Sequence, residues 1–212
     1  MSNGDTPKEE KRELIVYDFD PNNIPPEYLQ AVGLVAMTSA STESATAEFI
    51  GALIGADNIE TLALTTHMNA PLKDHVARSL IELNAVSAEI LDQVDDLLDN
   101  IDDATARRNV IIHNQLIMHP KTGEVLSHRL KARGSLQLEL RPISVEEIKE
   151  DARLIYEAAL ALINFMGIFR IEPRERRAPL REPLNRSKKA RAERRDLGGR
   201  KAAPAGPKPA AE

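Results

Sequence analysis

Leu72-Lys-Asp-His-Val-Ala-Arg-Ser-Leu-Ile-Glu-Leu-Asn-Ala-Val-Ser-Ala-Glu-Ile-Leu-Asp-Gln-Val-Asp-Asp-Leu-Leu-Asp-Asn-Ile101 is the stretch whose periodicity decides the fold class. Val76, Leu83, Ile90 and Leu97 recur every seven residues, and so do Leu80, Ser87, Val94 and Ile101, with Ser87 the one polar interruption. The spacing predicts a single helix from Leu72 to Ile101, with an apolar seam roughly 40 Å long at about 1.5 Å per residue. Such a seam makes either the spine of a helical bundle or a dimer contact, and the two are compatible.

On the N-terminal side, residues 1–13 are charged and read as a disordered lead-in, with Leu14–Phe19 as a short extended segment. Residues 1–23 are therefore expected to be a flexible extension. Pro25-Pro26 suits a helix start, where the missing N–H groups cost nothing. From Glu27 to Gly55 the residues Leu29, Val32, Ala36, Ala45, Phe49 and Leu53 follow three- and four-residue steps. The weak helix formers Thr38–Thr42 predict a kink or a tight crossing in its middle. Residues 56–72 read as irregular, with one helical turn near Leu62.

On the C-terminal side, Asp102 or Asp103 can cap a helix over 104–115. Pro120-Lys-Thr-Gly123 is a turn signal, and Leu136, Leu138 and Leu140 alternate with polar residues. Residues 116–142 are thus expected to form a β-hairpin or small antiparallel sheet, with Gly134-Ser135 as a second turn. Ser144-Val-Glu-Glu147 matches a capping box. It opens a closing helix with Ile148, Ala152, Ile155, Ala159, Leu162 and Met166 on one face. The fold class is mainly α: a helical bundle over 24–169 with a small hairpin before its last helix, flanked by disordered tails.

Composition narrows the chemistry. The 212 residues include no Cys, no Trp, three Tyr and four Phe. Cysteine nucleophiles, thiolate-bound zinc, disulfides and iron–sulfur clusters are excluded, and aromatic stacking platforms are disfavoured. Neither a secretory h-region nor a run of 18 apolar residues is present, so a cytoplasmic protein without membrane contact is expected. Residues 170–212 hold 14 of the 28 Lys and Arg but six of the 33 acids, a tail of +8 on a body of −13. That tail is expected to be disordered, and either to contact polyanions or to rest on its own domain.

His67, His75, His113, His119 and His128 show no metal-ligand spacing. The six aspartates of 92–103 lack the central Gly and the alternation of a calcium loop, and read as a solvated helix face. No metal or cofactor is expected. Arg107-Arg-Asn-Val-Ile-Ile-His-Asn-Gln115 differs. Asn109 and His113 lie one helical turn apart, and Arg108 can swing to the same edge. The helix C-terminus favours imidazolium at His113 by about 0.3–1 kcal/mol. A titratable imidazole, a guanidinium and a carboxamide can cleave a phosphodiester without metal, or can simply lock the helix to the hairpin.

Arg108-Asn109-x-x-x-His113, followed by a hairpin with a Pro-x-x-Gly turn and a closing amphipathic helix, resembles the Arg-x4–6-His motif of the HEPN superfamily. The likeness spans about 27–169. It implies a compact helical fold, commonly a homodimer with two Arg/His motifs facing each other across a cleft. It also implies metal-independent endoribonuclease activity, in settings such as toxin–antitoxin, abortive-infection and CRISPR systems. By the resemblance His113 is the acid/base, Arg108 the phosphate ligand and Asn109 the polar helper, with Glu43 or Glu48 at an acidic position of the first helix. RNA and an antitoxin or regulatory partner are implied as well. Gln115 stands where many active members carry Tyr. The alternative is a non-catalytic binding or regulatory module of the same fold, its basic tail tethering nucleic acid or an acidic partner.

Overall fold

The computed structural model describes residues 16–84, 87–132, 136–168 and 185–201. It is mainly helical. After a short 3-10 turn at Pro21–Asn23 come α1 (Pro26–Ile54), α2 (Asn58–Thr65), α3 (Ala70–Leu83) and α4 (Ala88–His113). Then follow β1 (Gln115–Met118), β2 (Val125–Ala132), β3 (Leu136–Pro142), α5 (Val145–Ile168) and α6 (Lys188–Lys201).

The seam is not one helix. Asn84 closes α3, donating from Nδ2 to the Leu80 carbonyl at 2.8 Å and to Leu53 at the end of α1 at 3.2 Å. Ser87, the residue that interrupts the heptads, is the N-cap of α4 and accepts from the Ile90 N–H. Nor is the heptad stripe the buried face: of its eight positions Val94 and Ile101 are buried, Leu83 and Ser87 are exposed, and the core-facing residues lie mostly one position further on. Here Ala77 and Ile81 of α3 meet the core with Leu91, Val94, Leu98 and Ile101 of α4. The separate helix expected over 104–115 is the last part of α4. Asp102 and Asp103 lie inside it, not at a cap, since Ile101, Ala104 and Ile111 carry the buried stripe straight through.

α1 is continuous, and Thr38, Ser39 and Thr42 of its Ser/Thr run are buried. Ser39, Thr42 and Thr46 each donate to the carbonyl four residues back, so the hydroxyls are satisfied without breaking the helix. Its buried face is rotated from the expected one: Ala31 and Val35 are buried, while Leu29 and Ala36 are exposed. The region expected to be irregular contains α2, which has a full capping box between Asp57 and Glu60. Gly51 lets α2 approach α1, because a Cβ there would stand 2.0 Å from Thr61 Oγ1.

The sheet is antiparallel in the order β1-β2-β3, as the leucine alternation predicts. Gly123 takes a left-handed φ of 71° in the first turn and donates to the His119 carbonyl. The second turn, Gly134-Ser135, lies outside the described residues. Of the extended N-terminal segment, Asp18 forms an isolated bridge with Met118. Ser144 Oγ caps α5 by accepting from the Glu147 N–H at 3.1 Å. Ile148, Ala152, Ile155, Ala159 and Leu162 are buried, and Tyr28 of α1 donates to the Ile143 carbonyl just before the helix.

Part of the basic segment departs from the expected disorder. Residues 188–201 form α6, and its arginines lie on the aspartates of α4. The acidic face is therefore not simply solvated. Among the described residues, no helix is long and apolar enough to cross a membrane.

Candidate functional site

α4 runs to His113 and β1 begins two residues later, with Asn114 in extended conformation between them. Asn114 Nδ2 donates to Ser127 Oγ of β2 at 3.0 Å, fixing the helix end against the sheet. Arg107 turns the other way and pairs with Asp151 of α5 at 2.6 Å. That leaves the next residue facing the free side of the helix end.

There the three sequence-predicted residues meet. Arg108 Nη1 lies 3.0 Å from Asn109 Oδ1 and 3.0 Å from His113 Nε2. Arg108 is half-buried, while Asn109 and His113 are exposed. Arginine has donors only, so Nε2 accepts in this contact. Asn109 accepts from the same nitrogen and holds the guanidinium in line with the imidazole.

Arg108 and Asn109 also line a cavity of about 370 Å³ between α1, α3 and α4. His113 is not part of that lining. Glu43 is, whereas Glu48 faces elsewhere and accepts from Ser44 Oγ at 3.0 Å. The structure thus brings only one of the two candidate glutamates toward Arg108. Gln115 Oε1 is 3.1 Å from His128 Nδ1, a contact across β1 and β2 that faces the sheet surface.

Sequence reasoning missed the rest of the lining. Ser39, Thr42 and Thr46 come from α1, Lys73 and Asp74 from α3, and Asp102 and Thr105 from α4. Burial and the neighbouring Asp74 charge raise the Asp102 carboxyl above the usual carboxylate range. The Ser/Thr run was legible as a weak helix former. Its place on a cavity depends on how three helices cross, which no local pattern encodes.

Two of the other histidines have local roles at the sheet, His128 with Gln115 and His119 in the first turn. His119 Nδ1 accepts from the Lys121 and Thr122 N–H groups in the β1–β2 turn, and its ring meets Tyr17 edge-on. Among the described residues, no three His, Asp or Glu side chains are grouped to hold a metal ion. No protein-family model, curated protein or solved structure matches the chain.

Proposed function

We propose that the chain is a metal-independent endoribonuclease of HEPN type, acting as a dimer, with Arg108, Asn109 and His113 as its site. The observation that carries this reading is the 3.0 Å contact between Arg108 and His113 on an exposed helix end beside a cavity. In the free protein Arg108 occupies the lone pair of His113 Nε2. An incoming phosphate is the stronger partner for guanidinium, because the hydrogen bonds become charge-assisted and bidentate. Arg108 turns to it and Nε2 is released as a base.

The 2′-hydroxyl then gives its proton to Nε2 while its oxygen attacks phosphorus. The bond from phosphorus to the 5′-oxygen breaks, leaving a 2′,3′-cyclic phosphate, and the leaving oxygen takes a proton from the imidazolium of a second copy's His113 or from water. Arg108 stabilises the charge that builds on the phosphoryl oxygens. Dimer formation would use the exposed apolar side chains of α1 and α5, among them Met37, Tyr156 and Ile163. The RNA substrate, a cytoplasmic setting and a role as a toxin or phage-defence component with its antitoxin rest on the family resemblance.

A second reading, the non-catalytic binding module, is favoured by Gln115, which stands in place of the usual Tyr and is held by His128. Its basic-tail tether draws less support. Arg186, Arg191, Arg194 and Arg195 are engaged by carboxylates of the body. The test is incubation of mixed RNA with the protein in excess chelator. Fragments ending in 2′,3′-cyclic phosphate, absent with His113→Ala, are expected. Intact RNA from a folded dimer would leave the binding module.

A further inference from the structure

The cavity beside Arg108 has a one-sided hydrogen-bonding character. Ser39, Thr42 and Thr46 are buried in its floor, and each commits its hydroxyl hydrogen to its own helix, at 2.6, 3.0 and 2.8 Å. Thr105 on the opposite wall does the same at 2.9 Å. A hydroxyl whose hydrogen is bound this way offers only lone pairs to a guest. At the exposed rim Asp102, which makes no ion pair among the described residues, adds a carboxylate with two acceptor oxygens. Acceptors therefore dominate the interior. Donors lie at Lys73, at the Asn69 amide, whose Oδ1 caps α3, and at the Arg108–Asn109 end.

A fitting guest brings neighbouring N–H donors on one edge, an acceptor beside them, a flat face for Leu98 and Ile101, and negative charge toward Arg108. Guanine carries N1–H and the N2 amino group side by side, which a carboxylate accepts as a pair, with O6 next to them for a lysine. Adenine and cytosine each set an amino donor beside a ring-nitrogen acceptor, and uracil sets one N–H between two carbonyls. Only guanine matches the acceptor pair of a carboxylate. The cavity volume, about 370 Å³, falls within the roughly 300–1,000 Å³ span of small-ligand sites.

We propose that this cavity binds the base of a guanine nucleotide, Asp102 accepting from its N1–H and N2 amino group while Arg108 holds its phosphate. The role of Arg108 rests on the ribonuclease reading; the base site does not. The nucleotide is either the one flanking the scissile phosphate in single-stranded RNA, its base splayed into the cavity, or a free guanine nucleotide.

The test is calorimetric titration of the full chain with GMP, AMP, CMP and UMP in chelator, repeated with Asp102→Asn and Arg108→Ala. In parallel, cleavage sites are mapped on an RNA of mixed sequence. GMP is expected to bind about tenfold or more tighter than the others. Asp102→Asn, on the exposed rim, is expected to erase that preference, because an amide replaces one acceptor by a donor. Arg108→Ala is expected to weaken all four nucleotides. Equal affinities, no binding, or a guanine preference untouched by Asp102→Asn would overturn the assignment. Cleavage without base preference alongside such a result would leave the ribonuclease standing without this subsite. Guanine-selective binding with no RNA cleavage would support a free-nucleotide site and sink the ribonuclease. Cleavage next to guanines would identify RNA as the source.

Discussion

Arg186 grips Asp95 through both carboxylate oxygens, Nε at 2.8 Å and Nη2 at 2.6 Å, and Asp95 is wholly buried. Arg78 of α3 reaches the same carboxylate at 2.9 Å, and Arg191 of α6 stands 3.8 Å from it. Hydrogen bonding to Asp95 raises Arg186 above the ordinary arginine range. A segment more than ninety residues downstream thus neutralises a charge in the body of the bundle.

Removing that buried carboxylate leaves three guanidinium groups facing one another. Asp95→Ala is expected to cost about 3–5 kcal/mol, the range for breaking a buried ion pair. Urea denaturation measures it. Arg195→Ala, whose side chain is 57% exposed against Asp96, should cost about 0–1 kcal/mol. Equal losses would mean that the buried network carries no more than the surface one.

The approach of α1 and α2 depends on a missing side chain. Gly51→Ala would drive a Cβ to 2.0 Å from Thr61 Oγ1 and 2.9 Å from its Cγ2. The expected cost is about 1–3 kcal/mol from overpacking. Thr61→Ala in the same chain should recover most of it, a coupling that a double-mutant cycle reads directly. Gly33 on the same helix has nothing within 4 Å, so Gly33→Ala should stabilise by about 0.5–1 kcal/mol through helix propensity.

Much of this architecture was legible from the chain. The amphipathic face of α5, the later part of the α1 face (Ala45, Phe49, Leu53) and the leucine alternation of the sheet are local patterns that the fold keeps, whereas the first turns of α1 bury Ala31 and Val35 in place of Leu29 and Ala36. The break between α3 and α4 was written at Ser87, but a serine in an apolar seam reads equally as a tolerated polar residue or as a cap. Gly51 carries no signal without knowing that Thr61 faces it. The α6 arginines and the aspartates of α4 were both visible as charge runs; their pairing is a tertiary fact. Arg108, Asn109 and His113 were recoverable because one helical turn brings them together.

Asp102 gives a pH signature. Its carboxyl is raised, first by burial and then by Asp74. The folded state therefore holds this proton more tightly than the unfolded chain. The resulting stability is present below the unfolded value of 3.8 and is lost as pH rises through the folded value. Asp102→Asn removes that loss. Melting temperatures of the two proteins should diverge in favour of the variant as pH rises from below 3.8 to neutrality. A variant that falls behind the parent over that range would contradict the assignment.

The central claim is that Arg108 and His113 work as one unit on RNA. The most direct measurement is the rate of RNA cleavage in excess chelator by the parent, Arg108→Ala, His113→Ala and the double variant, each checked for folding. Each single change is expected to lower the rate about 10²–10⁴-fold. The double variant should lose little more than the worse single one, because removing either member disables the pair. Cleavage that persists in all three variants, or none by the parent, would contradict the account.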